Sequence, residues 1–180
     1  GLFTKYSSNN GTAVGMSITE AAIHALSEVI ERDCFSTMLL SRYFAPQNAP
    51  LPRVIDKNTL PESLKRIVNS VEHEMSDDLI LLDITNDFQV PTFYATCTKQ
   101  RGCFVQPNGF GSSLSREYAV ERAVLEVLQH YHTAEFLGGD DDDFVPAYSF
   151  YSEHGLEPYA QAAKCDHTDL LNVPPAAFQT

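Results

Sequence analysis

Glu20, His24, Ser27 and Glu31 recur at spacings that put them on one face of a helix, with Glu28 at its edge and Arg32 further round. Carboxylates clustered on one stripe have two readings. One is a solvated surface, with Glu20, His24 and Glu28 as i,i+4 neighbours. The other is hard-metal binding: magnesium takes oxygen ligands and commonly shares them with substrate phosphates, and clustered carboxylates repel one another unless a cation lies between them. Spacing alone favours the solvated face. A second set, Arg122, Glu126 and Gln129, recurs at i, i+4 and i+7. The planar fork of Arg122 suits a phosphate oxygen, and Glu126 could join a metal site, whereas the ordinary alternative is a polar face with Arg122 paired to Glu126. A third candidate is Asn108-Gly109-Phe110-Gly111-Ser112-Ser113, read as a glycine-rich loop whose N–H groups could approach an anion ahead of a helix N-terminus. It is neither a P-loop nor a dinucleotide fingerprint, and a tight turn is its default reading. No catalytic nucleophile can be picked: Cys34 reads as a buried structural thiol, and His130 and His132 lack a third ligand, so the catalytic residues stay unknown.

These side chains need elements to hold them. Ser17-Ile18-Thr19-Glu20 fits a capping box, opening a helix from about 18 to the low 40s, with Ala22, Ile23, Leu26, Val29 and Ile30 expected to face the core. Pro61 suits the first turn of a second helix, whose apolar face would be Leu64, Ile67, Val68, Val71 and Met75. Leu79 to Ile84 reads as a buried strand, and Pro91 to Thr98 and Gly102 to Gln106 as two more, with a turn at Lys99 to Gly102. A third helix runs from about Ser115 to Phe136, capped by Ser115. The order predicts an α+β layer, helices packed on an antiparallel or mixed sheet. Gly138, Gly139 and four consecutive aspartates follow, a run that reads as a solvated acidic loop over 138–147. That divides the chain into a core over 1–137, the acidic loop, and a partly mobile extension of the same domain over 148–180, with a weak helix at 152–163.

The 180 residues are 43% apolar and carry 24 acidic against 12 basic side chains, a formal charge of −12. Such composition is globular, and the acidic surface repels phosphate backbones, so no nucleic-acid partner is expected. A small anion remains accessible where magnesium inverts the local sign. No apolar run approaches the length of a bilayer span. None of the four cysteines forms a CxxC pair. A Cys97–Cys103 bridge across a hairpin is one reading, and reduced thiols in a cytoplasmic protein are the favoured one.

Taken in order, three blocks resemble the YcaO family. The first is Ser8 to Gly15 with Glu20-Ala21 and Leu26 to Asp33, which includes Glu28-Val29-Ile30-Glu31-Arg32. The second is Leu79 to Ala95, with Asp83-Ile84-Thr85-Asn86-Asp87 and a proline-entered strand. The third is Gly109 to Ser113 with Ala119 to Gln129. The resemblance covers about residues 5 to 135. It implies ATP and magnesium held between two helices, with Glu28, Glu31 and Glu126 on the metal and Glu20, Arg32, Arg122 and Gln129 on the nucleotide. It implies amide activation: a nucleophile adds to a backbone carbonyl of a peptide or protein substrate, and phosphorylation makes the oxygen a leaving group, giving azolines or thioamides. A leader-peptide-binding or sulfur-donor partner and a homodimer are implied with it. There are departures. An earlier Glu-x-x-Glu-Arg helix of the family has no counterpart here, Met16 stands where many members place an asparagine, and Val173-Pro174-Pro175 is not the family's proline-rich tail. The chain therefore reads as a fragment that lacks an N-terminal part, with at most half of an ATP site and little activity alone. The alternative is a non-catalytic nucleotide- or peptide-binding module.

Overall fold

A computed structural model describes residues 10–44, 52–99, 106–136, 153–155 and 168–179. Four strands form one antiparallel sheet in the order β1 (Arg53–Val54), β2 (Leu79–Asp83), β3 (Thr92–Cys97) and β4 (Asn108–Ser112). Helix α1 spans Ile18–Leu39 and continues through a π turn at Leu40–Phe44; α2 spans Glu62–Met75 and α3 Arg116–Phe136. Strand alternation sorts the side chains into two cores. On one face Leu79, Leu81, Phe93 and Ala95 pack with Leu64, Val68, Val71 and Met75 of α2 and with Ala119, Ala123, Val124 and Val127 of α3. On the other, Ile80, Leu82, Tyr94 and Phe110 pack with Cys34 and Met38 of α1. The α+β class expected from the sequence is the one observed, as an antiparallel sheet with helices on both faces. Each large side chain buried this way contributes about 2 kcal/mol.

The helix starts are local chemistry. Ser17 Oγ accepts the Glu20 N–H at 3.2 Å, while the Glu20 carboxylate accepts from the N–H of Met16 at 2.7 Å, one residue before the cap. Ser115 Oγ accepts from the N–H of Tyr118 at 3.3 Å at the start of α3. The α2 face is as expected, with Ile67 only partly buried.

Two expectations need correction, and one strand is new. Most of the apolar arc of α1 does not face the core: Ile23, Leu26 and Val29 are 60%, 64% and 48% exposed, Ile30 packs partly buried against it as expected, and the helix also buries Glu31, Cys34 and Met38. The core contact is made by the C-terminal half, because only that half lies over the sheet. The glycine-rich segment at Asn108–Ser112 is not a loop but strand β4, paired to β3 from Thr92↔Ser112 to Thr96↔Asn108. Its glycines serve helix approach: a Cβ on Gly109 would lie 2.2 Å from the Ala123 carbonyl oxygen, and one on Gly111 1.9 Å from that of Ala119. The short strand β1 was not expected at all. The expected strand at 102–106 and turn at 99–102 fall mostly outside the described residues, as do the acidic loop, most of the 152–163 helix and Cys103. Cys34 and Cys97 are free thiols. Near the end, Ala176 bridges Ile55 in parallel, and Leu170 and Phe178 are buried.

Candidate functional site

Helices α1 and α3 lie on opposite faces of the sheet and reach past the β4 edge, where they frame a cleft of about 490 Å³. Its walls are Thr12, Ala13 and Val14 ahead of α1, then His24, Glu28, Glu31 and Arg32 on α1, and Arg122, Leu125, Glu126 and Gln129 on α3. The two polar helix faces singled out by spacing therefore meet. Six of the seven candidate residues line this cleft: Glu28, Glu31, Arg32, Arg122, Glu126 and Gln129. Glu20 does not, being at the exposed start of α1 with its carboxylate on Met16. Met16 is itself almost fully exposed.

Each cleft carboxylate is anchored by one backbone N–H. Glu28 Oε2 accepts from Gly11 at 3.2 Å, in a turn where Gly11 has φ +77°, a conformation that favours glycine. Glu126 Oε2 accepts from Phe110 at 2.8 Å and Glu31 Oε1 from Ser112 at 2.7 Å. The N–H of Asn108 completes the series at 3.4 Å from His130 Nδ1. Residues 108, 110 and 112 point their N–H groups the same way, as the period of two requires, and each meets a side chain instead of another strand.

Glu31 carries the strongest electrostatic signature. Its carboxyl is pushed up from 4.5 to about 7, first by burial; Arg122 and the Ser112 N–H pull it down, Glu126 pushes it up, and Arg32 pulls it down. The Arg122 guanidinium lies 3.6 Å from Glu31 Oε1. The pairing expected by default, Arg122 with Glu126 on its own helix, is thus replaced by one across the cleft.

Among the described residues no three His, Cys, Asp or Glu side chains are gathered closely enough to hold an ion by themselves. The donor set nonetheless fits magnesium shared with phosphates, which asks for only one or two carboxylates from the protein. A carboxylate that takes up a proton near neutrality for want of positive charge is one that a cation would satisfy, and Arg32 and Arg122 on the same walls suit phosphate oxygens. His24, Thr12 and Leu125 also line the cleft; the shared helical face had placed His24 beside Glu31, but nothing in the spacing pointed to Leu125 or to the loop before α1.

The chain matches the family model described as YcaO cyclodehydratase, ATP- and Mg2+-binding, over residues 2–175. Over 153 residues it is 32% identical to an uncharacterized protein of Methanothermobacter thermautotrophicus, covering 84% of this chain and 37% of that one. Among solved structures it is similar to YcaO from Methanopyrus kandleri bound with AMPPCP and Mg2+, at 29% identity and a TM-score of 0.59 over 72% of this chain and 33% of that one. A heterocyclase in complex with substrate and cofactor follows at 27% identity and a TM-score of 0.54, covering 68% of this chain and 15% of that one. The chain spans about a third of the length of the first two of these relatives. No described helix is long and apolar enough to cross a membrane. With a match that runs almost end to end and takes in α1, β4 and α3 together, the chain belongs to the YcaO family.

Proposed function

We propose that this chain supplies one side of an ATP–Mg2+ site in a protein that activates peptide backbone amides, the product class being azolines. The observation that carries the reading is the convergence of Glu28, Glu31 and Glu126 with Arg32 and Arg122 around one cleft. The AMPPCP- and Mg2+-bound Methanopyrus relative supports the ligand, and the heterocyclase relative supports the reaction class. When bound, ATP would supply the phosphoryl group that turns an amide oxygen into a leaving group. Glu28, Glu31 and Glu126 would hold magnesium. Arg32 and Arg122 would neutralise phosphate charge, with Gln129 at the rim. A bound cation would favour the charged form of Glu31, so nucleotide binding near pH 7 would release to solvent the proton carried by about half of the molecules. The protein's share of the catalysis is positioning and charge neutralisation. The peptide substrate, a leader-binding or sulfur-donor partner, a homodimer and cytoplasmic residence belong to the same proposal.

Calorimetric titration of a protein that carries the whole family domain with AMPPCP and Mg2+ tests it. Binding is expected in the wild type and lost in Glu31→Gln; an unchanged affinity in that variant removes the site assignment. A second reading, a binding module without catalysis, draws on the exposed Met16 and on Glu20 lying outside the cleft. It predicts nucleotide binding with no phosphate release when candidate peptides are added to a protein that carries the whole family domain.

A further inference from the structure

Strand β4 presents Gly109 and Gly111 to α3 and, by alternation, Phe110 to α1. The Phe110 ring is buried and held in a defined plane: it meets Phe35 edge-on at 4.8 Å and Tyr94 at 5.0 Å between centroids, and Phe35 stacks on Tyr94 at 5.2 Å. Over its remaining face stands the Arg32 guanidinium, 5.5 Å from the ring centroid. Among the described residues the Arg32 side chain makes no hydrogen bond or ion pair, so its donors stay available on the cleft wall while the ring holds the cation. The same residue's N–H holds Glu126 Oε2 at 2.8 Å.

We propose that Phe110 is a positioning residue for the cleft, its ring setting the Arg32 guanidinium and its amide setting the Glu126 carboxylate. Its effect on affinity rests on the nucleotide reading, whereas its effect on Arg32 does not. The arrangement explains why a large aromatic sits between two glycines: the strand must be bare toward α3 and bulky toward α1 at adjacent positions. A cation held by a ring face is oriented without being neutralised, which an ion pair with a carboxylate would not achieve.

Two measurements test this. In the wild type, NMR of Arg32 should show its side-chain Nε–H and Cδ protons shifted upfield by the ring current. The shift should vanish in Phe110→Leu and persist in Phe110→Tyr. The absence of an upfield shift in the wild type overturns the proposal without need of any variant. The second measurement is AMPPCP–Mg2+ affinity across wild type, Phe110→Leu, Arg32→Met and the double variant. Phe110→Leu should weaken binding about fivefold, and should add almost nothing in the Arg32→Met background. Equal losses in both backgrounds mean that Phe110 serves only the core, and overturn the proposal. If the wild type, measured in a protein that carries the whole family domain, fails to bind the analogue, the nucleotide reading falls, and the ring-current shift alone decides whether Phe110 positions Arg32.

Discussion

Two carboxylates, Glu31 on α1 and Asp83 at the end of β2, lie at similar depth, their side chains 6% and 9% exposed. Burial is the largest influence on both and works in the same direction, against the charged form. Their outcomes are opposite. Asp83 Oδ1 accepts from both the N–H and the hydroxyl of Thr85, at 3.1 and 2.6 Å, and Oδ2 meets Arg116 at 2.7 Å with Arg53 at 4.0 Å. Those donors outweigh burial and hold the carboxyl below its ordinary value. Glu31 has one backbone N–H, a more distant arginine and a second carboxylate, Glu126, as neighbour, and rises to about 7. Depth does not decide whether a buried carboxyl is held charged; the closeness and number of donors does. Asp83 is complete, tying β2 to the start of α3 through Arg116, which also donates to the Gln179 carbonyl at 2.7 Å and stacks over Phe93 and Phe178. Glu31 is left short of positive charge.

The contrast can be broken most directly by deleting each group. Asp83→Ala should cost about 3 kcal/mol by urea unfolding, since it strands a partly buried arginine. Glu31→Gln at pH 7 should cost less than about 1 kcal/mol, because the amide oxygen still accepts from Ser112 and the native carboxyl is about half protonated there. Equal costs would erase the distinction. Gly111→Ala should destabilise by about 2 kcal/mol, the new methyl striking the Ala119 carbonyl and forcing α3 away from β4; nucleotide affinity should fall with it. The pH profile sharpens the comparison further. Glu31's folded value lies above its unfolded 4.5, so the folded state binds more protons between about 4.5 and 7, and stability declines as pH rises through that window, by at most about 1.4 kcal/mol per pH unit. Asp83 acts with the opposite sign: its contribution is present above 3.8 and is lost as pH falls through its lowered folded value. Urea midpoints across pH should show both limbs, and Glu31→Gln should flatten only the neutral one. Arg122→Met removes the leading influence that lowers Glu31 and so should move the neutral limb to higher pH.

The sequence was informative where a pattern is local. The α2 face, the buried strands β2 and β3 and the caps at Ser17 and Ser115 follow from periodicity and side-chain chemistry within a few residues, and the structure has them. The convergence of the Glu31 and Arg122 faces was open on spacing alone, where solvation was the default, and came into view through the ordered resemblance of three blocks. What stayed hidden depends on how whole elements pack against one another. The apolar arc of α1 looked like a core face because periodicity reports amphipathicity without saying which side meets the sheet. The run Asn108 to Ser112 looked like a loop because glycine is rare in strands; its reason for being there is the backbone of α3, some ten residues on in sequence and in contact only once the chain has folded.

The way β4 ends the sheet has a further consequence. Among the described strands it is one of the two at the sheet's edges, and an uncovered outer strand offers N–H groups with which another molecule's strand can pair, the usual route to aggregation. Here His130, Glu126 and Glu31 hold those donors at every second residue. The same side chains thus seal the sheet against intermolecular growth, so a variant that loses both glutamates is expected to become less soluble.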